Sequence, residues 1–193
     1  MKFFKNDFIK HKLVKTAIEE IALQGIQACN VRTICAKADI GKSTFYNRFK
    51  DKDELLINIK EYLNFRIESE LFKDWKQDDS FDESWIKIAH STWQLCIGFK
   101  STVIAGQLIK EYFHEMNNDV SMDELQPWLD RLEKEKQQGN TIDMPIEYLN
   151  IMTLGVVVNL AVNVSKGNAP TIDEKSVDAL FLNILNSIKK VKG

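Results

Sequence analysis

Val31-Arg32-Thr33-Ile34-Cys35-Ala36-Lys37-Ala38-Asp39-Ile40-Gly41-Lys42-Ser43-Thr44-Phe45-Tyr46-Asn47-Arg48-Phe49 is the stretch on which the reading of this chain turns. Val31, Ile34, Cys35 and Ala38 recur at helical spacing and predict a short helix with one face turned inward, and Asn30 stands where it can cap it. Asp39-Ile40-Gly41 then makes a turn too tight for that helix to continue. A further short helix is expected from about Lys42 to Phe49, with Phe45 and Phe49 four apart on its buried side and Lys42, Ser43, Thr44 and Asn47 outside. Two short helices joined by a tight turn, the second presenting small polar and basic groups, form a helix-turn-helix. A major groove about 12 Å wide admits one such helix, whose first turn approaches base edges most closely.

Outward from that stretch the chain reads as helix in both directions. Ile9, Leu13, Ala17, Ile18, Ile21 and Ala22 share one face of a preceding helix that Gly25 ends. Asp51 with Glu54 opens a following helix whose apolar face is Leu55, Leu56, Ile59, Tyr62 and Leu63, running toward Trp75. Beyond Asp78-Asp79-Ser80 further helices are expected at roughly 81–99, 102–117 and 122–138. Pro145 opens another to about Lys166, and Asp173 a last one carrying Val177, Leu180, Phe181, Ile184, Leu185, Ile188 and Val191 as a stripe. With 3 Pro and 8 Gly in 193 residues, the breakers that separate short strands are scarce, so the fold class is all-α.

Charge divides the chain. Residues 1–60 hold 12 Lys and Arg against 7 Asp and Glu, and the remainder holds 14 against 21, so a net −2 conceals a head at +5 and a body at −7. Phosphate neutralisation needs cations on the head alone. Three cysteines without a CxxC pair point to a reducing compartment, hence the cytoplasm. The basic start breaks its apolar run too early for a signal peptide, and the apolar stretch 151–164 is interrupted by Asn159 and Asn163, so it is expected to be a buried helix and no membrane partner is expected.

From Val31 to Leu56 the sequence resembles the tetracycline-repressor (TetR) family without a gap, most specifically in Thr44-Phe45-Tyr46 with Phe49 and in the Lys52 to Leu56 run Lys-Asp-Glu-Leu-Leu. Asp39 stands where the family usually has Gly, a substitution that a residue tolerant of left-handed backbone allows. The resemblance implies an N-terminal three-helix helix-turn-helix domain over residues 1–50 and a helical ligand-binding and dimerisation domain over 51–193. It implies that Thr44 and Lys42 meet the groove, with Ser43 and Asn47 beside them, that Tyr46 packs over a phosphate, that Asn30 and Thr33 touch backbone, and that Lys52 holds a phosphate. The partners implied are double-stranded operator DNA, a second copy of the chain joined through the last two helices (about 145–166 and 173–191), and a small-molecule effector. The function implied is a ligand-released repressor acting as a homodimer on a palindromic operator.

Other patterns carry less. Gly41-Lys42-Ser43-Thr44 lacks the first glycine and the strand of a phosphate-binding loop. Glu111 and His114 have no second pair to complete a metal site, so no metal and no cofactor are expected. Trp93, Phe99, Phe113 and Trp128 are candidates for a ligand pocket, although aromatics at helical spacing are more often core. Glu19-Glu20 and Asp78-Asp79 are read as solvated charges, and Cys29 and Cys35 as core thiols. No nucleophile with an adjacent base can be assembled, so no enzyme is read. The alternative is a helical carrier or enzyme-like body with a vestigial head.

Overall fold

The computed structural model describes residues 4, 7–27, 29–115 and 123–190. All their regular structure is helical: α1 (Phe8–Gln24), α2 (Val31–Ala38), α3 (Lys42–Tyr46), α4 (Lys52–Leu71), α5 (Phe81–Gly98), α6 (Lys100–Glu115), a short 3-10 turn (Asp123–Leu125), α7 (Gln126–Gln137), α8 (Ile146–Asn150), α9 (Val156–Lys166) and α10 (Glu174–Ile188). No strand occurs among the described residues. The all-α expectation holds; α2 and α10 start where the sequence placed Asn30 and Asp173, and α1 starts at a cap that the sequence reading did not name. Asp7 accepts from Lys10 N at 2.8 Å, Asn30 from Thr33 N at 3.0 Å and Asp173 from Ser176 N at 2.9 Å. α4 ends at Leu71, short of Trp75.

Contacts group the chain into two compact units, one of Met1–Arg66 with Ser101–Ser121 and one of Ile67–Lys100 with Met122–Gly193. This grouping differs from the division after residue 50 expected from sequence, because most of α4 and nearly all of α6 pack with the head helices. In the first unit Leu13, Val14, Ala17 and Ile21 of α1 meet Ile34 and Ala38 of α2, Phe45, Phe49, and Leu55, Leu56, Ile59 and Leu63 of α4. Ala105, Ile109 and Phe113 of α6 belong to that core. Sequence periodicity showed that α6 has an apolar face but not which unit it serves.

The second unit is built on an aromatic stack. Phe81 and Trp128 lie parallel at 5.7 Å, Trp85 meets Trp128 at 5.5 Å, and Trp85 Nε1 donates to the Phe181 carbonyl at 2.8 Å, tying α5 to α10. Ser80 and Glu83 cap α5 reciprocally. An antiparallel bridge between Thr141 and Lys189 fastens the loop after α7 to the end of α10.

α8 and α9 form one continuous helix, Ile146–Lys166, through a π turn at Ile151–Gly155. Leu149, Thr153, Val157 and Ala161 are buried at intervals of four. On a straight α-helix that spacing would drift by about 120° over three turns; the wider turn takes up the excess and keeps the four in line. Thr153 Oγ1 donates to the Leu149 carbonyl at 2.7 Å within it. Length and apolar content alone would let this 21-residue helix cross a membrane. Here it packs against α5, and it carries Asn150, Asn159 and Asn163.

Candidate nucleic-acid interface

The turn between α2 and α3 is made by Asp39, at φ 51° and ψ 51°, the one non-glycine residue with positive φ among those described. Ile40 N donates to the Cys35 carbonyl at 2.9 Å and Asp39 N to that of Ala36 at 3.3 Å, which closes α2 in the double-bonded manner of a left-handed C-terminus. Asp takes the place usually given to Gly at the cost of some backbone strain. The chain is thereby turned so that α3 starts immediately at Lys42.

Phe45 and Phe49 are fully buried, with rings 5.4 Å apart, and they anchor α3 to the core. Regular helix stops at Tyr46, three residues before the expected Phe49, but Asn47 N still reaches the Ser43 carbonyl at 3.0 Å and Phe49 N that of Phe45 at 3.0 Å. Lys42, Ser43, Tyr46 and Asn47 are exposed and Thr44 is half-buried. Tyr46 stands 55% exposed with its ring edge against Phe45. The four groups expected outside, together with Tyr46, therefore lie on the outer side of this short helix and its C-cap.

The remaining expected contacts are placed differently. Asn30 Oδ1 accepts both Thr33 N and Thr33 Oγ1, so the α2 cap occupies the two side chains together. Lys52 Nζ donates to the Ile26 carbonyl at 2.9 Å.

Two ion pairs that sequence spacing did not disclose hold the helices in register. Glu20, only 4% exposed, accepts Lys37 Nζ at 2.5 Å and links α1 to α2; it is not the solvated charge expected, because its neighbour Glu19 takes the outward direction. Arg48 Nε donates to Asp7 at 3.1 Å, and Lys10 Nζ lies 5.3 Å from the Phe49 ring. Asp79 departs from expectation in the same way in the second unit, gripped by Lys87 Nζ at 2.6 and 2.7 Å and by Lys76 N at 2.8 Å. Those hydrogen bonds hold its carboxyl below the ordinary carboxylate range. Arg32, exposed on α2, is a cation the sequence reading left out.

Of the four aromatics proposed for a pocket, Phe113 lies in the first unit's core, while Trp128 is sealed in the second unit's stack. Trp93 faces the Phe181 ring at 6.2 Å and Phe99 is exposed. Among the described residues no group of three or more His, Cys, Asp and Glu gathers as metal ligands would.

A helix-turn-helix head in an all-helical chain is the class that this fold and this face define. Residues 13–59 match the family model for bacterial regulatory proteins, tetR family. An HTH-type transcriptional regulator of Bacillus subtilis is 24% identical over 93% of this chain, which spans 64% of that relative's length. Among solved structures, a TetR-family regulator from Marinobacter aquaeolei superposes with a TM-score of 0.81 at 14% identity, covering 94% of this chain and 95% of its own. One from Haemophilus influenzae gives 0.79 at 15%, covering 94% and 97%. The chain thus matches the tetR family model over its head and shares its fold with TetR-family structures.

Proposed function

We propose that the protein is a cytoplasmic repressor that binds a palindromic operator as a homodimer and leaves it when a small molecule binds the body. The observation that carries this reading is α3, fixed from behind by Phe45 and Phe49 while Lys42, Ser43, Tyr46 and Asn47 face outward with Thr44 among them. Lys42, Thr44 and Asn47 have the donors and acceptors to meet base edges and phosphates, Tyr46 can pack over the backbone, and Asn30 with Thr33 approaches it from α2.

A dimer is supported by the apolar residues that the last helices leave outside: Tyr148 (55% exposed) and Ile151 (59%) before α9, and Leu182 (49%) on α10. Large apolar groups grouped on two long helices stabilise a two-fold contact by the same burial that stabilises a core. Two heads then meet successive major grooves about one helical turn apart. An effector that favours a mis-spaced arrangement lowers operator affinity by its differential affinity for the two states. The roles are those of a regulator and not of an enzyme.

Selection of bound sequences from a random duplex pool, at two salt concentrations, tests the reading. Enrichment of a palindrome whose binding weakens steeply with salt supports it, and failure to bind any duplex overturns it.

A further inference from the structure

We propose that the groove between the α4–α5 connection and α7 binds a small aromatic monocarboxylate. The groove has a volume of about 530 Å³, within the range that takes a drug-sized molecule. All its lining residues belong to the second unit. It opens to solvent, with Lys76 and Lys134 exposed on its walls, and is separate from the interior that Trp85 and Trp128 fill. The site gives the effector of the proposed repressor a place and a chemical class. It rests on that reading for what binding achieves, and not for binding itself.

One wall is aromatic. Phe72 and Trp75, both half-buried, have ring centroids 4.9 Å apart and planes tilted by 38°, and they offer an apolar surface on which a planar ring can pack. The segment that carries them is tied down: Asp79 accepts Lys76 N at 2.8 Å and Lys87 Nζ at 2.6 Å, and Arg131 Nη2 donates to the Asp79 carbonyl at 3.1 Å. The wall is therefore formed before a ligand arrives, and little ordering entropy is lost on binding. The facing wall is α7, where Arg131 and Lys134 stand three residues apart on one side of the helix. Arg131 Nε lies 3.5 Å from Glu135 Oε1 and is buried without a hydrogen-bonded partner, and Lys134 enters no ion pair among the described residues. Glu68 and Asp130 also line the groove, and Asp130 already accepts Gln126 Nε2 at 2.7 Å. Three cations (Lys76, Arg131, Lys134) against two carboxylates leave one positive charge, which favours a ligand carrying one negative charge and not two. An aromatic surface beside arginine and lysine donors is the complement of a ring bearing a single carboxylate.

Naphthoate is the probe, with the neutral naphthamide as its control, each titrated into the isotope-labelled full chain without DNA and followed by NMR up to about 5 mM, where weak binding still registers. The Trp75 indole resonance, identified by its loss in Trp75→Phe, is expected to shift saturably with naphthoate while those of Trp85 and Trp128 stay in place. Naphthamide is expected to bind about tenfold more weakly, having no charge for Arg131 and Lys134 to meet. Lys134→Glu, at an exposed position, is expected to weaken naphthoate about tenfold and to leave naphthamide unchanged. No saturable shift at Trp75 overturns the proposal, as do largest shifts at Trp85 or Trp128, which put the ligand in the interior. Acid and amide binding alike, or an acid indifferent to Lys134→Glu, overturns it too. Binding is read on free protein, so failure of every duplex to bind leaves this result standing, and failure of naphthoate to bind leaves the DNA reading standing.

Discussion

Arg48 Nε, two residues beyond α3, donates to Asp7 Oδ1 at 3.1 Å, the same oxygen that caps α1 by accepting Lys10 N at 2.8 Å. One carboxylate thus ties the end of the α3 segment to the start of the first helix. The cap, Arg48's hydrogen bond and its charge together hold Asp7 below the ordinary carboxylate range, so its contribution is complete above about pH 4 and is lost as pH falls through its lowered folded value. Asp7→Ala should cost about 1 kcal/mol at neutral pH, most of it from the cap. Urea unfolding of the variant should also lose the part of the acid dependence that Asp7 supplies.

Asp39 holds a left-handed conformation that glycine adopts without penalty. Asp39→Gly should raise head stability by up to about 1 kcal/mol, and Asp39→Val should lower it by more than that. Denaturation midpoints with unchanged slope would check the sign. A destabilised glycine variant would mean that the Asp side chain contributes something the backbone argument omits.

Thr44 and Lys42 should separate in their effects on DNA. Thr44→Ala is expected to change which base is preferred at one position of each half-site, by about 1–3 kcal/mol of discrimination. Lys42→Ala should weaken binding to every sequence and flatten the salt dependence. Identical changes from the two variants, in a competition assay on selected and scrambled duplexes, would contradict their assignment to different tasks.

Ile151→Asp and Leu182→Asp replace residues exposed in the single chain, so each should leave the helical fold intact. Sedimentation is expected to show monomers where the wild type is dimeric, with operator affinity reduced along with dimerisation. A wild-type monomer, or a mutant dimer, would remove the apolar face from the interface.

Cys29 and Cys96 are buried, and burial pushes their thiols up to about 11 and about 12. Burial raises Cys35 as well. Thiols so disposed are protonated at neutral pH and unreactive. Maleimide labelling should be slow in native protein and complete in urea. Rapid native labelling would reopen a thiol-based control of the head.

The sequence by itself determined the helical class, the caps at Asn30 and Asp173, the turn at Asp39 and the outward groups of α3. Each of these is set by neighbours within four residues, where helix periodicity and capping chemistry act. Tertiary structure alone decided that α6 completes the core of the first unit, that Glu20 and Asp79 go inward while Glu19 goes out, that a π turn keeps Leu149, Thr153, Val157 and Ala161 in line, and that Lys52 reaches Ile26. Those outcomes depend on which group lies opposite across the chain. An adjacent pair of carboxylates is equivalent in sequence until one of them meets a lysine from another helix, and the cost of burying its charge without that lysine is what settles the choice.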